Sequence, residues 1–188
     1  QRIKAHIAQN VQAPSIAIFV RDLNGAPDKL AATLESLSPD RCLYDQIQVT
    51  VLARPQALVP ASMHHHVLEQ SSDWLAAFNK HAVSSASGWL MLVDAGECFT
   101  PVGLLVAALE LMQAEGVRAI YGDELVRADN LGSLAPSFRS DFNLDMLLSF
   151  PTTMARHWLF RRDVFLQAGC FDPTMADAPE FDLLLRLI

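Results

Sequence analysis

The run Trp89-Leu-Met-Leu-Val-Asp94-Ala-Gly-Glu97 passes from apolar residues into two carboxylates three positions apart. At that spacing two oxygen donors share one turn and are able to hold Mg²⁺ or Mn²⁺, and such an ion in turn holds a diphosphate. The same residues also suit a turn closed by its own side chains, so both readings stand. Asp123 and Glu124 follow the short apolar run Ala119-Ile-Tyr121 and carry the same two readings. His64-His65-His66 is a third candidate, but adjacent side chains on an extended loop point in different directions, which favours a solvated loop over a metal cluster.

Acids this far apart in sequence work together only if a scaffold brings them to one edge. Ser15-Ile-Ala-Ile-Phe-Val20 is a β-rich run closed by the polar turn Arg21 to Gly25, and Ala26-Pro27-Asp28 then opens a helix with Leu30, Leu34 and Leu37 on one face. Ile47 to Leu52 reads as a second strand, broken by Arg54-Pro55. Residues 55–72 show no period and read as a long loop. Asp73 is an N-cap candidate for a helix carrying Trp74, Ala77, Phe78, Ala82 and Val83. Trp89 to Val93 is apolar throughout, as a central strand covered on both faces would be. Pro101 opens another helix through Leu111, and Ala119 to Tyr121 is a brief fourth strand. This β-α-β-α-β-α-β order predicts an α/β fold, a mostly parallel sheet between helix layers with ligands beyond the carboxyl ends of its strands. Asp94, Glu97, Asp123 and Glu124 all fall at such ends. Farther on, Asp129 to Gly132 reads as a turn and Thr152 to Phe160 as a strand with a polar underside. Arg162 to Ala168 is a helix closed by Gly169, and Glu180 begins the last helix.

The 188 residues fit one domain, 1–188, with no internal repeat. Fourteen Lys and Arg against 21 Asp and Glu give a net charge of −7 with no basic cluster, which excludes a nucleic-acid or anionic-lipid footprint. Three widely spaced cysteines suit neither a disulfide framework nor paired zinc ligands and fit a reducing compartment. No apolar stretch approaches the roughly 20 residues of a membrane helix. The chain opens at Gln1 without a signal peptide and stops inside a helical pattern, so it reads as a piece of a longer polypeptide.

Trp89 to Glu97 followed by Pro101 resembles the strand and metal turn of family 2 glycosyltransferases. Ala119-Ile-Tyr-Gly-Asp-Glu124 is similar to that family's Tyr-Ser-Asp-Glu-Asp segment. Pro136-Ser-Phe-Arg-Ser-Asp-Phe-Asn-Leu-Asp-Met-Leu-Leu148 resembles the Pro-x-x-Lys-Pro-x-x-Ser-x-Asp-x-Leu-Leu stretch of bacterial polysaccharide-building members. Leu159-Phe-Arg-Arg-Asp163, Gly169-Cys-Phe-Asp172 and Glu180-Phe-Asp-Leu-Leu-Leu-Arg186 match the final block in order and spacing. The resemblance implies a GT-A fold, a Rossmann-like α/β/α sandwich. It further implies an inverting transfer of a sugar from a nucleoside diphosphate sugar to a hydroxyl acceptor, a glycan or a lipid-linked one. It also implies a Mn²⁺ or Mg²⁺ cofactor held by Asp94 and Glu97, and donor contacts from Asp94, Asp123 and Glu124. The implied location is cytoplasmic, with the parent protein able to bring the domain to the inner membrane face.

Aligning the final block puts Glu180 at the position of the catalytic base and Pro179 where an acid usually precedes it. Gly96 stands where the second metal-liganding Asp is usual. Phe19-Val-Arg-Asp-Leu-Asn24 and Thr50-Val-Leu-Ala-Arg54 replace the usual nucleotide-gripping runs. Asp22 and Asn24 are left either as nucleotide contacts or as a capped turn closing strand one. These departures make a catalytically silent binding or scaffolding domain the competing expectation.

Among the remaining candidates, His157 is read as lying on a strand, either touching phosphate or acceptor or held by structural hydrogen bonds. Asp182 and Arg186 sit four apart and suit an ordinary helical ion pair. Cys98 is read as a buried thiol. Asn79 matches an Asn of the resembling family's preceding helix and is otherwise read as a capping or helix-to-loop hydrogen-bonding residue.

Overall fold

A computed structural model describes residues 13–127 and 133–188. The strands of the main sheet are β1 (Ile16–Asp22), β2 (Ile47–Ala53), β3 (His64–Val67), β4 (Trp89–Asp94), β5 (Ala119–Ile120) and β8 (Leu159–Arg161), in the order β3-β2-β1-β4-β8-β5. A separate two-stranded antiparallel sheet pairs β6 (Glu124–Arg127) with β7 (Leu134–Ser137). The helices are α1 (Pro27–Ser36), α2 (Trp74–Ser84), α3 (Gly103–Gln113), α4 (Leu144–Ser149), α5 (Pro151–Met154), α6 (Arg162–Gln167) and α7 (Pro179–Leu187).

β1 lies at the heart of the sheet because both of its faces are apolar. Ile16, Ile18 and Val20 join Leu30, Leu34, Tyr44, Leu104 and Leu105 in one core, while Ala17 and Phe19 join Trp74, Phe78, Phe165, Phe171 and Leu183 in the other. The period-2 alternation of a strand thus feeds two cores, with α1 and α3 covering one face and α2, α6 and α7 the other. Phe78 anchors the second core, its ring centroid 4.4 Å from Phe19 and 4.9 Å from Phe171. Asn79 beside it donates Nδ2–H to the Phe171 carbonyl at 2.8 Å and accepts the Phe171 N–H at 3.2 Å, so of its local readings it takes the helix-to-loop one and not the cap.

β1 to β4 run parallel, with Arg21 in register with both Leu52 and Asp94. β8 is antiparallel to both β4 and β5, so it alone in the main sheet is reversed. That reversal brings the residues preceding β8 to the carboxyl edge of the parallel strands, where β4 delivers Asp94.

Several local expectations change. Residues 55–72 are not all loop: His64 to Val67 form edge strand β3, and Ser71 to Asp73 form a 3₁₀ turn. A strand repeats every second residue, so His64 and His66 share the face toward His81 of α2; His66 Nδ1 lies 3.0 Å from His81 Nε2. Asp73 does not cap α2; its Oδ2 accepts the Gln70 N–H at 3.0 Å and closes the 3₁₀ turn. Pro101 precedes α3 by two residues, its carbonyl taken by the Leu43 N–H. Thr152 to Phe160 is not one strand: Pro151 sits in the first turn of α5, and His157 adopts φ +57°, so extension resumes only at Leu159. Cys98 is exposed, because its turn lies beyond the end of β4 and not beneath it. The turn expected at Asp129 to Gly132 lies outside the described residues.

Candidate active site

Asp94 ends β4 and meets Arg21 of β1 across the parallel ladder. The guanidinium grips both carboxylate oxygens, Nε to Oδ1 at 2.6 Å and Nη2 to Oδ2 at 2.8 Å. This fork-to-fork geometry is the strongest form of such a pair. Arg21 also stacks on Trp74, its Cζ 4.2 Å from the ring centroid, so the guanidinium is held from two sides. The turn that follows closes on itself, with Glu97 Oε2 accepting the Asp94 N–H at 2.6 Å. Gly96, at φ +107°, gives its N–H to Thr33 Oγ1 at 2.8 Å, and a Cβ there would lie 3.3 Å from Lys29 Cδ. The absence of an acid at position 96 therefore has a backbone cause: an L side chain would be strained there and would crowd α1.

The other oxygen of Glu97 reaches His157 Nε2 at 2.7 Å, and His157 Nδ1 reaches Glu124 Oε1 at 2.8 Å. Carboxylates only accept, so an imidazole bridging two of them donates from both nitrogens and is the imidazolium. Burial works against that charge, yet hydrogen bonds and attraction from Glu97 and Glu124 prevail and push the His157 pKa up to about 9. Glu124 also takes Arg156 Nη2 at 2.6 Å and Arg139 Nη1 at 3.3 Å. Burial opposes its ionisation, but His157 and Arg156 hold its carboxyl below the usual range. Asp123 accepts the Arg139 N–H at 2.8 Å.

Glu180, in the first turn of α7, is 7% exposed and its Oε1 accepts the Trp158 N–H at 3.1 Å. Burial pushes its pKa up to about 7, against the pull of that N–H. His157 and Trp158 thus join two systems, the imidazolium facing the acid cluster and the adjoining backbone facing Glu180. The left-handed backbone of His157 is what turns its side chain and its neighbour's N–H to different partners, and strain of this kind concentrates at functional sites.

Of the residues singled out in the sequence, Asp94, Glu97, Asp123, Glu124, His157 and Glu180 converge on this edge. Asp22 is buried and its Oδ1 accepts the N–H of Gly25 at 2.9 Å and of Ala26 at 3.3 Å, a capped turn closing β1. Asn24 is exposed on that turn. Arg186 pairs with Asp182 at 2.6 Å, as read, and also holds the Cys170 carbonyl at 2.8 Å. His157 is on a loop and not on a strand. The sequence reading missed Arg21, Arg139 and Arg156. Arg21 carries no sequence signal, because only the pairing of β1 with β4 sets it opposite Asp94, whereas Arg139 stands where the resembling stretch carries its Lys.

The residues do not fit a divalent cation in this arrangement. Every oxygen of Asp94 and Glu97 already accepts a hydrogen bond, and among the described residues no group of three or more His, Cys, Asp or Glu is arranged to hold a metal.

Both Glu180 and His157 bind protons more tightly folded than unfolded, since 7 exceeds 4.5 and 9 exceeds 6.5. The stability they add is complete at low pH and falls as pH rises, first as Glu180 ionises and then as His157 loses its proton near 9. Urea unfolding followed from about pH 5 to about pH 10 should show this two-stage decline. His157→Gln should flatten the upper stage, and an unchanged slope in that variant would show that His157 is not the group titrating.

A mostly parallel sheet between helix layers, with a polar site at its strand ends, is a doubly wound α/β/α fold, and it matches solved glycosyltransferases of the GT-A fold. No family model and no curated protein matches the sequence. Solved structures do match in fold. Staphylococcus aureus TarS 1–349 in complex with UDP-GlcNAc aligns with TM-score 0.65 and 12% identity, over 92% of this chain and 52% of that one. The mannosyltransferase PcManGT from Pyrobaculum calidifontis, in complex with GDP-Man and Mn²⁺, aligns with TM-score 0.59 and 11% identity, over 94% and 55%. This chain thus spans about half the length of each. Among the described residues no helix is long and apolar enough to cross a membrane.

Proposed function

We propose that residues 1–188 form one glycosyltransferase domain of the family 2 type, moving a sugar with inversion from a nucleoside diphosphate sugar to a hydroxyl of a growing glycan. The observation that carries this reading is the His157–Trp158 bridge, which ties a buried carboxyl with a pKa of about 7 to a polar cluster at the strand ends. That division of labour is what a direct displacement needs. Charged groups at the strand ends hold the diphosphate as it departs, and a carboxylate takes the proton of the attacking hydroxyl. A base works best with a pKa near the working pH, and burial tunes Glu180 there. The bond from the anomeric carbon to the diphosphate breaks as the bond to the acceptor oxygen forms, so one anomeric configuration gives the other.

The solved structures bound to UDP-GlcNAc and GDP-Man support a nucleotide-sugar donor. In this reading the turn of Asp22 and Asn24 that closes β1 is assigned to the nucleotide, and Asp123 and Glu124 to the sugar. Transfer of this kind to a bacterial surface polysaccharide places the domain on the cytoplasmic side, where nucleotide sugars are made.

The silent-domain reading has one observation in its favour: the strand-end acids are all engaged by cations or backbone. Calorimetric titration of the folded chain with UDP, GDP and dTDP separates the two. Saturable binding of one nucleotide is the expected result. Binding of none would leave the fold as a scaffold.

A further inference from the structure

Asp94 and Glu97 are the acids that the resemblance assigns to a metal, yet their four oxygens are all satisfied from within the chain. Arg21 takes both oxygens of Asp94, and Glu97 divides its pair between the Asp94 N–H and His157. To gain either Asp94 oxygen a divalent cation must compete with a bidentate ion pair and sit beside a guanidinium that Trp74 holds in place. Among the described residues no third ligand joins them, and a side chain at position 96 is strained by its φ of +107° and meets Lys29 at 3.3 Å. The charge count points the same way. Arg21 faces Asp94, the His157 imidazolium lies between Glu97 and Glu124, the guanidiniums of Arg139 and Arg156 face Glu124, and Asp123 accepts the Arg139 backbone N–H. A hard divalent cation is drawn to a surplus of oxygen charge, and here there is none.

The cations themselves are placed as a phosphate site would have them. Arg21 sits at the end of β1, and Arg54 follows the end of β2, the adjacent parallel strand, with Nη2 3.2 Å from Ser71 Oγ. Nη1 of Arg21 makes no hydrogen bond among the described residues, which leaves one charged donor for an incoming anion. A guanidinium suits phosphate oxygens through its planar fork and stays charged at every working pH.

We propose that this strand-end site binds the diphosphate of its donor without a divalent cation, the Arg21 guanidinium standing in the metal's place. The inference rests on the nucleotide-sugar reading above and deepens it. Asp94 acts here as the positioning partner of Arg21 and not as a metal ligand, and that reverses the expected sign of its removal. At a metal site the loss of Asp94 costs donor affinity. Here it removes an anion that competes with the diphosphate for the same guanidinium.

The test is calorimetric titration of the folded chain with UDP and with GDP, in EDTA and again in excess Mn²⁺. Affinity for the nucleotide that binds should agree within about twofold between the two buffers, the near-equality expected when no metal contact is made. Arg21→Gln should weaken binding by about tenfold or more in both, the usual loss of a charge-assisted hydrogen bond. Because Arg21 also packs on Trp74, its variant is paired with Asp94→Asn, which keeps the shape of the pair. Asp94→Asn should bind the nucleotide more tightly than the unaltered chain in EDTA. Binding that needs Mn²⁺, or that Asp94→Asn abolishes, overturns the inference and leaves the donor reading standing. No binding of either nucleotide in either buffer overturns the donor reading itself, and the inference with it.

Discussion

Glu180→Gln is expected, on the proposed transferase reading, to reduce sugar transfer by about 10²–10⁴-fold, the range set by loss of a general base. Nucleotide affinity should change little, because Glu180 lies behind the His157–Trp158 loop and not among the cations at the strand ends. The variant is well suited to the question. The glutamine carbonyl still accepts the Trp158 N–H, and a neutral amide removes the charge that burial penalises, so the fold is not at risk. The pH profile supplies an independent readout. With a pKa of about 7, transfer by the unaltered protein should rise as pH passes through neutrality and the carboxylate forms, and the variant should lose that limb. Unchanged turnover in Glu180→Gln would remove Glu180 from the mechanism.

Arg139→Met should cost about 3–5 kcal/mol of folding stability, the range for breaking a buried ion pair from one side. The side chain is 2% exposed, and its Nη1 and Nη2 hold the carbonyls of Arg156 at 2.9 Å and Met154 at 2.6 Å. It also pairs with Glu124 and stacks on Tyr121, its Cζ 4.4 Å from the ring centroid. Through these contacts it fastens the segment after β7 to the loop that carries His157. Methionine keeps much of the volume but leaves two carbonyls and part of the Glu124 charge without a donor. Arg41→Met is the control, because the Arg41–Glu35 pair is largely exposed and worth less than about 1 kcal/mol. Chemical denaturation of the two variants measures the contrast, and equal losses would mean that the Arg139 network contributes nothing beyond surface charge.

Both predictions depend on side chains that the sequence shows with unequal clarity. The β-rich run at Ile16, the apolar run at Trp89 and the helix face of Leu30 and Leu34 were legible because each element's periodicity is local, and local periodicity fixes which face is buried. The alternation of these elements was enough for a parallel sheet and for strand-end acids at Asp94 and Glu124. Glu180 was singled out through its match to the final block of the resembling family, and the structure adds that it is buried with its pKa pushed up to about 7.

The histidine run shows how a small local difference changes a chemical reading. As a loop, residues 64–66 scatter their side chains; as strand β3 they alternate, and His66 meets His81 of α2. Residues 55–72 give little sign of β3 because an edge strand with one neighbour needs little apolar sequence. Asp22 and Glu97 went to turn closure, an outcome the sequence held open and could not decide, since a short acid serves a ligand or a backbone N–H equally well.

The sequence by itself determined the layered α/β architecture and the carboxylates at the strand ends of its sheet, because these follow from patterns spanning a few residues. Only the tertiary structure decided what those carboxylates do. Arg21 neutralises Asp94 across 73 positions of chain, and His157 reaches Glu97 across 60, contacts no local pattern encodes. The reversal of β8 is the physical reason for the second of these: in a strand parallel to its neighbours, the residues before it would lie at the far edge of the sheet, away from Asp94.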